Sequence, residues 1–469
     1  MRIGPRTALL AVLVLVAVGV GSCAIQAAPL VANAPSLTQF VPALAGMNGE
    51  RRYLVLALDP AELRPAGGYT GTVGIVGIDH GGIVERDFSD VYEYDTKPGL
   101  PYVEPPVALQ NYLPGATSWE IADAAWSPDF PAAAQESLRL YELESGDTRI
   151  DGVIALTTYA VDSLLEATGP VDVPEYGVTV RAGETTMIAL ALTRGASTQN
   201  SNRKQFLDAL AGHMLNRLTT LSPLDAPKLV DAFNAIRDRR DAMVWLADPA
   251  AEAWVATTPL GGAVGQEPGD YVYVVEANVE PPSKYNLVVE RADTINVALD
   301  SAGMASDSIA MRWQNFAMSP GQAFDLIRSY STNQAGLYGA YVRLLTPATS
   351  VLGSVAGNAT DAIDSVEETS TEVGRNVFGN YLLMAPGASS LNYDWTVPRA
   401  AAQSQGIWTY DLTIQRQPGA AENQQFVTVS LPAGAQVVST TSGVVAGQTV
   451  AMSTTLDRDV SLEVRYRLP

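Results

Sequence analysis

From Tyr53 to Leu58 six apolar residues run without a break, and the run ends in Asp59-Pro60. A short apolar run stopped by a breaker predicts a buried strand over 53–58. Period-two alternation predicts further strands at 71–78 and 83–86, joined as a hairpin through Asp79-His80-Gly81-Gly82. In Trp126-Ser127-Pro128-Asp129-Phe130-Pro131 a capping Ser127 or Asp129 and a first-turn proline predict a helix reaching about Leu143. A strand at 151–156 feeds a helix over 158–167, with Val161, Leu164 and Leu165 on one face and Gly169-Pro170 as the stop. Residues 171–174 and 178–180 read as a small hairpin. Helices at about 184–193, 202–221 and 223–239 follow, then a strand at 243–247 and a helix capped at Asp248-Pro249. This alternation predicts an α/β domain over 51–265.

After Gly261-Gly262-Ala263-Val264-Gly265 the pattern turns to Val, Tyr, Thr and Asn in period-two runs. Strands are expected at 271–277, 286–291, 294–299, 338–345, 377–384, 407–414, 425–430 and 460–467. They make an all-β sandwich region over 270–400, with 401–469 as a second β module or a continuation of the same sandwich. The segment 350–372, rich in Ala, Gly, Ser, Thr and acids, reads as a loop or a weak helix, and 398–405 as a linker or long turn. No internal repeat of fixed period is present.

The N-terminus has a different pattern. Arg2 and Arg6 precede a stretch from Ala8 to Ala28 that is apolar apart from Gly, Ser22, Cys23 and Gln26. That predicts an export signal or membrane anchor over 1–29, followed by a Pro-, Ala-, Ser- and Asn-rich tether over 30–50. Val20-Gly21-Ser22-Cys23 is similar to a bacterial lipobox, which would make Cys23 the lipidated residue. An uncleaved spanning helix and a cleaved signal are the other two fates. The expected location is the bacterial cell membrane, with the folded domains outside the cytoplasm.

The 469 residues carry 29 basic and 50 acidic side chains, a formal net charge of −21. No basic stripe offers itself to nucleic acid. One cysteine excludes an internal disulfide, and two histidines with one cysteine exclude a His/Cys zinc site. A Ser-His-Asp triad would have to use His80 or His213, which read as a turn residue and a helix-face residue. Gly67-Gly68-Tyr69-Thr70-Gly71 runs into a strand and not a helix, so it fails as a dinucleotide loop, and no nucleotide, haem or zinc cofactor is expected.

The segment Asp59 to Gly71 is the main candidate for chemistry, since it places two acids, an arginine between prolines and three glycines directly after a buried strand. Asp59 and Glu62, with Asp87, Asp90 and Asp95, could supply oxygen ligands for Mg²⁺ or Ca²⁺; solvated acidic faces and simple chain routing explain the same residues. Arg64, Arg194 and Arg203 carry the fork geometry that suits phosphate oxygens.

The Asp59 to Gly71 loop, Trp126 to Pro131, Asp151 to Leu156 and Thr168-Gly169-Pro170-Val171 together resemble the bacterial family catalogued as domain of unknown function 4012, over about residues 45–300. That resemblance implies a membrane-anchored, extracytoplasmic protein. A more distant resemblance is to the LytR-CpsA-Psr family, which attaches cell-wall glycopolymers from isoprenoid pyrophosphate carriers, and it implies a mixed sheet flanked by helices. Leu56 to Asp59, Arg64, Leu165 to Val173, Arg194 and Arg203-Lys204-Gln205 fall in that family's order. The resemblance implies that Asp59 holds Mg²⁺ with Arg64 beside it, a catalytic pair, and that Arg194, Arg203 and Gln205 bind phosphate. Two positions depart from the pattern: Gly67-Gly68 stands where an acid is expected, and Phe88-Ser89-Asp90 lacks the arginine of a Pro-Arg-Asp segment. The alternative is a non-catalytic envelope scaffold, adhesion or interaction protein.

Overall fold

The computed structural model describes residues 44–113, 115, 117–193, 201–219, 225–331 and 335–469. The leader and Cys23 lie outside them. Two compact units emerge: one comprises residues up to Pro60, Arg64–Pro105 and Ser118–Ala263, the other Ala61–Leu63, Pro106–Thr117 and Val264–Pro469.

The first unit is built on a five-stranded mixed sheet. Its strands are β1 (Arg51–Asp59), β2 (Tyr69–Asp79), β3 (Gly82–Asp90), β4 (Gly152–Thr157) and β7 (Ala242–Leu246), in the order β3-β2-β1-β4-β7. β1 and β4 are parallel and the other pairings antiparallel. β1 is the central strand and packs against an apolar layer on each face, which is why its apolar run is continuous. Alternate residues go to opposite layers. Leu54, Leu56 and Leu58 pack with Phe130, Ala133, Leu140 and Tyr141 of the helix Phe130–Ser145. Tyr53 and Val55 pack with Val244, Leu246, Ala251 and Val255.

That first helix begins as expected, with the Asp129 carboxylate accepting from the Ala132 amide and proline in the first turn, and it ends at a left-handed Gly146. The helix Thr158–Thr168, the hairpin β5 (Val171–Val173) and β6 (Val178–Val180), and the helices Thr185–Thr193, Ser201–Thr219 and Ala226–Arg239 follow. They share a core of Leu164, Leu165, Val173, Phe206, Leu210 and Ile236.

The second unit holds two eight-stranded sheets. One runs Ala362–Ile363, Val351–Asn358, Gly387–Val397, Ala305–Asn315, Val289–Leu299, Gln424–Ser430, Thr449–Thr455, Val444–Ala446. The other runs Glu368–Glu372, Arg375–Met384, Tyr338–Pro347, Asp270–Asn278, Ile407–Gln415, Val460–Arg467, Gln436–Thr440, with Ala401–Ser404 paired to Ile407–Gln415. Hydrogen bonds cross from one sheet to the other: Trp313 Nε1 donates to Glu276 Oε2 at 2.9 Å, and the Tyr393 hydroxyl donates to Asn380 Oδ1 at 2.7 Å. Both sheets contain strands from either side of residue 400.

Several expectations need correction here. The segment 350–372 is not a loop or helix: it forms the strands Val351–Asn358, Ala362–Ile363 and Glu368–Glu372. Their side chains are mostly exposed, so one-sided polar strands carry no apolar alternation to read. The linker expected over 398–405 contains Ala401–Ser404 in β pairing. The strands expected at 286–291 and 294–299 are one strand, Val289–Leu299, which carries Asp293 and Thr294 through its middle. The strands Ala305–Asn315, Gly387–Val397, Gln436–Thr440, Val444–Ala446 and Thr449–Thr455 were not anticipated.

Candidate functional site

β1 delivers Asp59 to the end of a central strand, where it is 1% exposed and its Cα pairs with Tyr69 of β2. The register slips between Ala57 and Leu58, so that Thr72 and Thr70 are their partners and Gly71 is bulged. Between the strands, Pro60–Glu62 form a 3₁₀ turn, and the Gly67 amide closes a second turn on the Arg64 carbonyl at 2.9 Å. Gly68 has φ +149°, and a Cβ there would lie 2.5 Å from the carbonyl oxygen of Asp59. The glycines therefore let the loop lie backbone against backbone on the end of its own strand.

Arg64 is also 1% exposed. Its Nε donates to Asp123 Oδ1 at 2.7 Å, and its guanidinium carbon stands 5.7 Å from the centre of the Tyr69 ring. Asp123 ends the short 3₁₀ helix Ile121–Asp123, which is tied to the loop a second time by the Ala66 amide on the Ala125 carbonyl at 3.1 Å. The start of that helix is held by Asp95: Oδ1 accepts from the Ile121 amide at 3.1 Å and Oδ2 from the Ala122 amide at 3.3 Å. Behind Asp95 lies Glu144 of the helix Phe130–Ser145, 7% exposed, whose backbone carbonyl accepts from Lys97 Nζ at 3.0 Å.

Arg64, Asp123, Glu120, Asp95, Glu144 and Lys97 thus form one continuous charged cluster inside the first unit. Four acids face two cations, and burial adds to the imbalance. Burial, and then contact with Glu144, pushes Asp95 up; burial pushes Glu144 up as well. Glu120 is pushed up to about 7, by burial first and then by Asp95 and Asp123. Asp123, by contrast, has a guanidinium on one oxygen. Of these residues only Arg64 and Asp95 stood among the sequence candidates. Glu120 and Asp123 flank the apolar pair Ile121-Ala122, and two acids around a buried apolar pair were the available signal.

The remaining candidates divide. Asp87 is exposed and Asp90 half-buried on edge strand β3, and among the described residues no group of three His, Cys, Asp or Glu is arranged to hold a metal ion. Glu62 is paired with Lys284 at 2.6 Å within the second unit. His80 is an exposed turn residue against Asp79 at 2.8 Å, and His213 pairs with Glu175 at 2.9 Å. Arg194 lies outside the described residues. Arg203 and Gln205 fall in the first turns of the helix Ser201–Thr219, and their side chains are outside the description. No described helix is long and apolar enough to cross a membrane. A cavity of about 330 Å³ at the start of β1 is lined by Glu50, Arg52, Thr148, Arg149, Ile150 and Asp151. There Arg52 is already paired with Glu85 at 2.6 Å and Asp147 at 2.7 Å.

A search of curated proteins found no match. Solved structures gave distant likenesses. Protein gbs0355 from Streptococcus agalactiae is 12% identical, with a TM-score of 0.29 over 47% of this chain and 77% of that one. Protein lpg2210 from Legionella pneumophila is 10% identical, with a TM-score of 0.27 over 42% and 71%. An M1 zinc metallopeptidase from Deinococcus radiodurans is 10% identical, with a TM-score of 0.20 over 38% and 42%, so the chain spans under half the length of that enzyme. At these TM-scores the likenesses carry no argument about activity. Residues 48–191, the stretch that holds the Asp59 to Gly71 loop and the whole acidic cluster, match the family described as protein of unknown function (DUF4012).

Proposed function

We propose that the chain is a membrane-anchored, extracytoplasmic cell-envelope protein whose first unit serves as a non-catalytic scaffold or interaction module. The observation that carries this reading is Arg64, 1% exposed with its Nε on Asp123 at 2.7 Å. A guanidinium already neutralised inside the fold has little left to offer a phosphate, and its neighbours Asp95, Glu120 and Glu144 add negative charge that repels one. Asp59 fits the same account. Its backbone packs against Gly68, and among the described residues it belongs to no group of three His, Cys, Asp or Glu arranged to hold a metal ion. Export and anchoring rest on Arg2, Arg6 and the apolar stretch Ala8 to Ala28, with Cys23 as the candidate lipidation site.

The second reading is a binder or processor of an isoprenoid-linked pyrophosphate on a LytR-CpsA-Psr-like fold. The mixed five-stranded sheet with helices beside it is compatible with that fold, and the reading now depends on Arg194, Arg203 and Gln205. Purifying the protein from its own membranes and analysing co-purifying lipids by mass spectrometry separates the two. The scaffold reading expects no isoprenoid phosphate. A lipid phosphate that is present in the native preparation and lost in Arg194→Ala or Arg203→Ala would overturn it.

A further inference from the structure

The inward face of the strand Ala305–Asn315 reads Ala305, Asp307, Ile309, Met311, Trp313, Asn315. An aspartate in such a row is out of place. Asp307 is 4% exposed, and its cross-strand neighbours are Val297 on one side and Trp395 on the other. Neither Asp307 oxygen receives a hydrogen bond from any described residue. What faces it from the opposite sheet is a second carboxyl, Asp270, 2% exposed and in hydrogen-bonding contact with it.

The two acids are not equivalent. Asp270 Oδ1 accepts from the Tyr271 amide at 2.8 Å, and Oδ2 accepts from the Tyr410 hydroxyl at 2.7 Å. Arg375 also acts on Asp270. It is held over the Tyr271 ring at 3.9 Å, donates to the Gly265 carbonyl at 2.9 Å, and has Glu267 for company. The other charge near Tyr410 is Asp411. Donors and a cation thus stabilise an anion at Asp270, and no described residue donates to one at Asp307. Two adjacent buried carboxylates cannot both remain ionised without a compensating positive charge.

We propose that Asp307 and Asp270 share one proton, carried on Asp307, as a carboxyl–carboxylate hydrogen bond that joins the two sheets of the β-rich unit and is lost in alkali. The proton supplies the donor that Asp307 otherwise lacks and removes one of two charges from the core. No bond other than O–H forms or breaks, and the proton comes from and returns to solvent. Burial, and then the Asp270 charge, raises Asp307, which is the direction the arrangement requires. The sign follows. An acid whose affinity for its proton rises on folding contributes stability that is complete below the unfolded carboxylate range, near pH 4. That contribution falls as pH rises toward the folded value, by up to about tenfold in the folding constant per pH unit for one proton.

The test is chemical denaturation of the full chain from pH 4 to 10, wild type beside Asp307→Asn and Tyr410→Phe. Asparagine keeps the shape and donates to Asp270 without titrating, so Asp307→Asn should remove up to about tenfold per pH unit from the wild-type loss of folding constant between about pH 4 and the folded value. Tyr410→Phe takes a donor from the Asp270 anion, so its loss of stability, which begins near pH 4 as in the wild type, should continue to higher pH than in the wild type. A wild-type profile parallel to that of Asp307→Asn overturns the proposal. If Asp307→Asn does not fold, a Tyr410→Phe profile superimposed on the wild type overturns it instead. Stability that rises with added calcium and falls with a chelator, in the wild type and not in Asp307→Asn, would put a metal ion in the proton's place and equally refute it.

Discussion

Replacing Arg64 by methionine tests whether the candidate loop is held together by its charges or merely displays them. The change keeps the length and apolar stem of the side chain and deletes the guanidinium that sits 2.7 Å from Asp123. Asp123 is then left at 13% side-chain exposure beside Glu120, with no cation on that oxygen. Breaking a buried pair from one side costs about 3–5 kcal/mol, and because some water reaches Asp123 the lower figure, about 3 kcal/mol, is expected. For a unit of this size each kcal/mol shifts the midpoint by about 2–4 °C, so calorimetry of the purified protein should show a fall of about 6–12 °C. The double variant Arg64→Met, Asp123→Leu removes both charges and should recover at least half of the loss. A single variant within about 1 kcal/mol of wild type, or a double variant as damaged as the two singles summed, would refute the reasoning. If Arg64 were instead a phosphate ligand, Arg64→Met would lose binding and keep its stability.

Gly68→Ala should destabilise the first unit by at least about 2 kcal/mol, since its Cβ meets the Asp59 backbone and alanine disfavours its φ. Gly81→Ala, at φ +73° with nothing within 4 Å, should cost only about 1 kcal/mol, and urea midpoints of the two variants check the difference. Glu120 is pushed up to about 7, so the stability it contributes is complete below about pH 4.5 and lost as pH rises to neutrality. Glu120→Gln should therefore flatten the wild-type decline between pH 4.5 and 7, read as denaturation midpoints across that range. Trp313→Phe removes the donor 2.9 Å from Glu276 Oε2 and should cost about 1.5–3 kcal/mol by thermal unfolding; a loss below about 0.5 kcal/mol would show that Glu276 does not need it.

The first unit was largely legible because its elements bury their apolar residues with a clear period. β1, β4, β5, β6 and the helix Thr158–Thr168 lie within two residues of where pattern and stop signals put them. The β-rich unit was less so, for two physical reasons. Strands such as Val351–Asn358 and Glu368–Glu372 face water with Ser, Thr, Gly and Glu, so they lack alternation. Strands such as Val289–Leu299 carry Asp293 inward, where Asn423 and Gln425 donate to it at 2.8 and 2.7 Å, so a buried polar residue looks like a turn. The same blindness hid the acidic cluster. Asp95, the pair Glu120 and Asp123, and Glu144 are far apart in sequence and meet only because the short helix Tyr92–Asp95, the 3₁₀ helix and the helix Phe130–Ser145 converge.

A strand that ends in an acid and is followed by Arg and a Gly-Gly pair has two physical explanations. In one, the glycines open the backbone so that amides can reach an anion, and the arginine waits for the same anion. In the other, the glycines remove side chains because another stretch of backbone must pass within contact distance, and the arginine serves an acid of the fold. The residue that decides is the one the glycine faces. Gly68 faces the carbonyl of Asp59, an acceptor that repels phosphate oxygens, and Arg64 faces a carboxylate. Both observations favour the second explanation. An anion site in this unit would have to be assembled without the loop's help, so the loop's integrity and any phosphate binding should respond to different mutations.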